Sequence, residues 1–366
     1  MRERNDQTSE ALAPPSEARP PIVESSALSA LQSATGEKST GDVLSDVLRT
    51  AKLTGALFFL VDAAPPWELG VPHAKAFAPI ILPRAQHVIS YHVIARGSCW
   101  GALIGEPAVA LAAGDILVFP HGDPYVMSSA PSDSSKVDVD GALSFFRLMA
   151  GGQLPFTVIE GGTGEDRTHL VCGFLGCDAR PFNPLLATLP RMLHVRRRSD
   201  PQTDLLTQLI ELTVAESRTE RAGGACIRLG LAELMFVEVV RRYFATIPAA
   251  ETGWLAGLRD PAIGRALALL HERPAHAWTL DELASNVAMS RSVLADRFTY
   301  FMGQPPIQYL TQWRMQVAAR SRANGASKVA SVAFEVGYAS EAAFSRTFKK
   351  ITGVSPAHWR QQSAMR

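Results

Sequence analysis

The spacing of apolar residues changes along the chain, and the changes divide it. Residues 1–40 are rich in Ser, Ala, Pro and Glu and contain no aromatic side chain. Such a stretch buries too little apolar surface to offset the entropy of ordering it, so a disordered tail is expected there. Packed structure should begin near Asp42, where DVLSDVLRTAKL carries a short helical apolar pattern. From 54 to 182 the apolar runs are short (GALFFLV, HVISYHVIA, VALAAGDILVFP, LSFFRLMAG, HLVCGFLGC) and are broken by Gly, Pro and Asp. Short runs at close spacing with turn residues between them predict strands of a β-sandwich or barrel. Between 184 and 247 the spacing becomes three and four, as in TDLLTQLIELTVAE and IRLGLAELMFVEVVRRYF, which predicts helices. PAAETGWLAGL, residues 248–258, reads as a linker, and from Asp260 onward the pattern is helical throughout.

Charge placement adds a clue that the total hides. The 366 residues are 47% hydrophobic and 19% charged with a net charge of +1, an ordinary globular balance. Residues 259–366, however, hold 14 Lys+Arg against 7 Asp+Glu, a net of +7, and the remainder carries 22 against 28, a net of −6. That asymmetry points to an anion-binding C-terminal part, with nucleic acid the leading candidate. Four cysteines, Cys99, Cys172, Cys177 and Cys226, are too sparse for a disulfide-stapled scaffold. No apolar run reaches the length of a spanning helix, and MRERNDQTSE lacks the apolar core of a signal peptide, so a cytoplasmic location without membrane contact is expected.

The last hundred residues repeat. At an offset of 50, Phe298 matches Phe348, Phe301 matches Ile351, Gly303 matches Gly353, Pro306 matches Pro356 and Tyr309 matches Trp359. Upstream, Ala284 matches Ala333 at an offset of 49, so the second copy has one extra residue in its turn. Each copy reads as helix–turn–helix. Thr279 with Glu282 forms a capping box, and Leu280, Leu283, Ala284 and Val287 give the first helix one apolar face. Gly337 suits a left-handed helix end, and Ser290 and Ser340 are N-caps for the next helices. In those helices Leu294/Phe298 and Phe344/Phe348, four apart, face inward. PIQYLTQWRMQVAARSRA between the copies reads as one connecting helix. Two units in register on a segment of net +7 point to DNA binding.

TLDELASNVAMSRSVLADRF and VASVAFEVGYASEAAFSRTFKKITGVSPAHWR resemble the DNA-binding domain of AraC/XylS-type bacterial transcription regulators. The resemblance implies two helix–turn–helix units joined by a long helix and entering successive major grooves. The recognition helices would span about 291–301 and 341–351. The DNA-facing positions by motif are Arg291, Ser292, Ala295 and Asp296 in the first, and Glu341, Ala342, Ser345 and Arg346 in the second. Arg346 can pair bidentately with guanine or clamp a phosphate, and Glu341 and Asp296 can accept from cytosine. Those two acids can equally be favourable charges in a helix's first turns. Many family members carry Arg where Asp296 stands. Lys349, Lys350 and Arg360 are placed for phosphates, which set affinity rather than sequence choice.

GDILVFPHGDPY resembles the second cupin motif through Gly114, Pro120 and Gly122, and HVISYHVIARGSCW resembles the first. With LVCGFLGCDARPFNPLLATLP, residues 42–190 resemble the cupin-type sensor domain of one subgroup of these regulators. The ligand set of a metal-binding cupin is incomplete. His87 and His92 are present without the Glu, and Tyr125 stands where a ligand His could be, although His121 remains. These four residues are either pocket and turn residues or, if His87, His92 and His121 converge, part of a metal site; no cofactor is otherwise implied. Cys172 and Cys177, five apart, lack zinc spacing and read as buried structural residues, a thiol sensor or part of a Cys/His metal site.

The expected architecture is thus an α+β multidomain chain, with an N-terminal cupin-like β-barrel, accessory helices, and a C-terminal all-α domain of two helix–turn–helix units. Its divisions would be a tail at 1–40, a ligand-sensing domain at 41–190, and a helical packing or dimerisation segment at 191–247. A linker at 248–258 and a DNA-binding domain at 259–366 would follow. Leu231, Leu234, Met235, Val239 and Tyr243 would pack on the barrel and supply a homodimer interface. The expected function is that of a non-enzymatic regulator, commonly an activator in this family, binding double-stranded DNA and a small-molecule effector, with RNA polymerase a partner implied by the resemblance. The alternative is a metal-dependent cupin enzyme fused to a DNA-binding domain.

Overall fold

The longest apolar runs fold into strands that are buried on both faces, which is why they lack a clean alternation of apolar and polar residues. The structure is a computed structural model that describes residues 42–50, 53–132, 136–177, 181–197, 204–217, 221–248, 251–324 and 328–364. The tail expected over 1–40 lies outside the described residues. After helix α1 (Val43–Thr50) come β1 (Leu53–Ala64), β2 (Glu68–Val71), α2 (Ala74–Ile81), β3 (His87–Arg96), β4 (Ser98–Leu103), β5 (Val109–Ala112), β6 (Ile116–Phe119) and β7 (Tyr125–Ser128). Then follow α3 (Val139–Ala150), β8 (Thr157–Gly161), β9 (Thr168–Cys177), α4 (Pro184–Thr188) and β10 (Leu193–Val195). A six-stranded sheet runs β10-β6-β3-β9-β1-β8, and a four-stranded sheet runs β2-β7-β4-β5. β1 pairs parallel with β8 and antiparallel with β9, with Phe59 opposite Cys172.

The two sheets share an inner core that includes Phe59, Cys99, Phe119, Tyr125, Met127 and Phe174. The outer face of the larger sheet, with Ile89, Tyr91, Val118 and Leu175, packs on α5 (Leu205–Ser217) and α6 (Gly224–Thr246) through Leu209, Met235, Phe236 and Val239. Arg242, buried, joins these two helices by pairing with Asp204 and, at 3.0 Å, with Glu238. Gly122, at φ +69°, closes the turn between β6 and β7; a Cβ there would lie 2.5 Å from that of Ala74. The same turn accepts the Ala74 amide on the Gly122 carbonyl at 2.8 Å.

The C-terminal part consists of α7 (Trp254–Arg259), α8 (Pro261–Glu272), α9 (Leu280–Asn286), α10 (Arg291–Met302), α11 (Pro306–Asn324), α12 (Val329–Glu335), α13 (Glu341–Thr352) and α14 (Pro356–Ala364). No helix among the described residues is long and apolar enough to cross a membrane.

Three local expectations are corrected. LSFFRLMAG, expected as a strand, lies in α3. Asp138 caps that helix by accepting from the Gly141 amide, and Ala142, Phe145, Phe146 and Met149 fall three and four apart on its packed face. The segment expected to be helical over 191–247 begins with a strand, β10, which completes the larger sheet against β6. The linker expected over 248–258 holds most of α7, whose Trp254, Leu255 and Ala256 are buried in the same core as α5 and α6. An apolar triplet in a short segment found a shared surface, and burial overrode the loop-like composition.

The turns of the two helix–turn–helix units differ at one backbone position. Gly337 has φ +85°, and a Cβ there would lie 2.4 Å from the Ala275 carbonyl oxygen. Its counterpart, Ala288, takes φ +54° despite its side chain. A left-handed L-residue costs roughly 1–2 kcal/mol, and glycine's extra unfolded-state entropy returns about half of that. Ala288→Gly should therefore stabilise the full chain by about 0.5–1 kcal/mol in urea unfolding, while Gly337→Ala should destabilise it by more than about 1 kcal/mol. An unchanged or lowered midpoint for Ala288→Gly contradicts the strain assigned to this turn.

Candidate nucleic-acid interface and sensor cavity

The two candidate reading helices are started by the same device. The hydroxyl of Ser290 accepts the Val293 amide at the head of α10, and that of Ser340 accepts the Ala343 amide at the head of α13. Leu294 and Phe298 in one, Phe344 and Phe348 in the other, are completely buried. The opposite faces match at the repeat offset: Ser292 and Ala342 are exposed, Ala295 and Ser345 are half-buried, and Asp296 and Arg346 are exposed. Arg291, Glu341, Lys349 and Lys350 are also exposed. The Arg291 guanidinium lies 3.6 Å from the Asp281 carboxylate, a solvent-exposed pair worth little.

Two charged groups near this face are committed elsewhere. Glu282, expected to complete a reciprocal capping box, instead accepts from His276 Nε2 at 2.8 Å, while the Thr279 hydroxyl still accepts the Glu282 amide at 3.1 Å. Arg297, itself exposed, donates through Nε to Asp260 at 2.9 Å. Asp260 also caps α8. Burial works against its charge, yet Arg297 and the Ile263 and Ala262 amides hold its carboxyl below the ordinary value.

In the N-terminal half, a cavity of about 380 Å³ opens between the sheets and α3. Its walls include Phe59 and Val61 of β1, Phe145 and Phe146 of α3, and Phe174 of β9, with Glu68, Asp138 and Glu160 also lining it. On the inner side lie His92 and Cys172, joined at 3.1 Å between Nδ1 and Sγ. His92 Nε2 is 2.8 Å from the Tyr125 hydroxyl, whose ring stacks on Phe119. Burial lowers the His92 pKa to about 3 and raises those of Cys172 and Tyr125, so all three are neutral near pH 7.

The structure brings together His92 and Tyr125 of the four expected pocket residues, and separates the other two. His87 Nε2 bonds the Pro120 carbonyl, and His121 Nε2 bonds the Leu189 carbonyl at 2.8 Å. The convergence of His87, His92 and His121 is therefore corrected: each ring is satisfied by a different partner. Among the described residues no group of three or more His, Cys, Asp or Glu is placed to hold a metal ion. Cys172 faces the inner core, whereas Cys177, an odd number of residues along the same strand, packs in the core on the opposite face. The α3 residues of the cavity were missed because their segment was read as a strand; an Asx cap followed by apolar residues three and four apart was the available signal.

The two halves meet at Tyr309, near the start of α11. Its hydroxyl accepts from Trp254 Nε1 at 2.8 Å and lies 2.8 Å from His271 Nε2. The ring meets Phe182 of the N-terminal half edge-on, and the Phe182 amide donates to Gln316 Oε1 at 3.0 Å.

Comparison with known proteins agrees with both halves. The family described as "Cupin" matches residues 42–245, and a "Helix-turn-helix domain" matches residues 283–362. A "Putative AraC-like transcription regulator" of Streptomyces lividans is 34% identical over 77% of this chain and 89% of its own length. The "HTH-type transcriptional regulator AlkR" of Acinetobacter baylyi is 29% identical over 76% and 90%. The "RCS-specific HTH-type transcriptional activator RclR" of Escherichia coli is 31% identical over 54% and 69%.

The buried histidines predict an acid-sensitive fold. Burial takes His92 and His271 from an ordinary 6.5 to about 3. The unfolded chain thus binds these protons first. Stability is complete above pH 6.5 and falls as the pH drops toward 3, by about 1.4 kcal/mol per pH unit for each ring once the unfolded form is protonated. Urea midpoints at pH 7, 6 and 5 should fall progressively, and His92→Gln should fall less steeply between pH 6 and 5. A wild-type midpoint that stays level across this range would contradict the neutral buried rings.

Proposed function

We propose that this chain, which belongs to the AraC-like transcription regulators and carries an N-terminal cupin domain, reads a two-part DNA site through α10 and α13 under control of a small molecule in its cupin cavity. The observation that carries the reading is the matched exposure of Ser292 with Ala342, Ala295 with Ser345 and Asp296 with Arg346 on two identically capped helices. Arg346, Glu341 and Asp296 are assigned to base edges, with Ser292, Ala295, Ala342 and Ser345 setting the close fit. Arg291, Lys349 and Lys350 are assigned to phosphates, which position the helices without reading sequence.

The effector acts by binding one arrangement of the two halves better than another, since a ligand with equal affinity for both shifts nothing. Homodimerisation is assigned to the α5–α6 face. Met235 and Val239 are buried against the sheet, which leaves Leu234 with Leu212 and Ile227 as exposed apolar residues. Activation, through contact with RNA polymerase in the cytoplasm, is proposed by analogy with the relative named an activator.

The direct test uses a duplex selected by the purified full chain from a random pool. Arg346→Ala should weaken binding to that duplex by about 1–3 kcal/mol and leave binding to an unrelated duplex nearly unchanged. Lys349→Ala should weaken both alike and flatten the salt dependence. An equal loss on both duplexes for Arg346→Ala would place Arg346 on a phosphate and remove it from base reading.

A further inference from the structure

The cavity has an uneven polarity. Its wall is aromatic: the Phe59 and Phe145 rings lie 5.5 Å apart between centroids, and Phe146 and Phe174 lie 5.4 Å apart. Three carboxylates from separate elements line it too, Glu68 on β2, Asp138 at the head of α3 and Glu160 on β8. No Lys or Arg is among its lining residues. The one basic side chain, His92, has both ring nitrogens engaged, by Cys172 and Tyr125. Asp138 accepts the Gly141 amide and Glu68 accepts the Ser132 hydroxyl, and both residues are exposed. Glu160 is half-buried and has no ion-pair partner among the described residues.

We propose that the cavity takes a small organic cation, an alkyl- or arylammonium whose apolar body packs among Phe59, Phe145, Phe146 and Phe174 and whose charge is held by Glu68, Asp138 and Glu160. The inference rests on the reading of the cupin half as a sensor and names the chemistry it senses. An anion would enter a site lined by three acidic side chains and by no Lys or Arg among the described residues. A neutral apolar molecule would fill the aromatic part and gain nothing from the carboxylates. A cation gains twice, from the carboxylates and from the negative faces of the rings. The volume, about 380 Å³, suits a ligand of drug-fragment size.

The test is an isosteric series, 4-phenylbutylammonium, 4-phenylbutan-1-ol and 4-phenylbutyrate, titrated calorimetrically into the full chain at pH 7 and low salt. Ammonium should bind about tenfold more tightly than the alcohol, with butyrate weakest. Glu160→Gln should cut the ammonium-over-alcohol preference by about threefold or more while leaving alcohol binding in place. Ala142→Phe, which fills the aromatic part, should abolish binding of all three; if that variant does not fold, Phe145→Ala should weaken all three alike. Tighter binding of the alcohol or the butyrate overturns the cation assignment, as does the absence of binding by any of the three. Duplex affinity measured with and without saturating ammonium separates the two claims. Tight, Glu160-dependent binding that leaves DNA affinity unchanged would uphold the cation site and refute the sensor reading.

Discussion

A single buried hydroxyl, that of Tyr309, joins the parts of this molecule that must act together. It bonds Trp254 of α7 and His271 of α8, and its ring meets Phe182 of the N-terminal half and Phe298 of α10. A buried polar group of this kind is costly if any partner is withdrawn, because the remaining groups lose their bonds in a low-dielectric setting. Rearranging the junction therefore costs free energy. It also explains why the stretch before Asp260 is packed: Trp254 is one of the partners that Tyr309 needs.

The cores are divided unequally. Leu283, Leu294 and Phe298 of the first helix–turn–helix unit and Trp313 of α11 belong to one continuous apolar cluster with Leu209, Met235 and Leu175 of the N-terminal half. Val47 of α1 lies in the same cluster. The second unit has its own cluster, with Met315, Val332, Phe344, Phe348 and Trp359. Close-packed interiors transmit displacement, so movement in the N-terminal part is passed to the first unit, and the second depends on it through α11. β9 carries Cys172 and Phe174 to the cavity, and Phe182 follows it in the chain to reach Gln316 and Tyr309.

The C-terminal half was readable in the sequence because its signals are local and doubled. Serine caps, a left-handed turn residue and apolar pairs four apart recur at a fixed offset, and tertiary packing had little left to decide. The rest of the chain was readable as strands, turns and helices, but three features were not. α3 was hidden because Phe145 and Phe146 are adjacent and suit a strand as well as a helix. α7 was hidden because Trp254 and Leu255 sit among Pro, Gly and Ala, and only a surface distant in sequence makes them a core. The fate of His87, His92 and His121 depended on which carbonyls, thiol and hydroxyl the fold carried to each ring, and no spacing encodes that. The carboxylates of the cavity, from β2, α3 and β8, are likewise assembled only by the sheet order.

The central claim is that the two repeated units read one DNA site together. The most direct measurement is genome-wide mapping of sites bound by the purified full chain on fragmented source DNA at fixed salt. Expected are recurrent sites upstream of a few genes, each with two conserved blocks separated by about one helical turn, as two recognition helices entering successive major grooves on one face of the duplex would require. Uniform, salt-sensitive occupancy with no enriched sequence would contradict it, and would reduce the basic C-terminal part to a non-specific grip on phosphate.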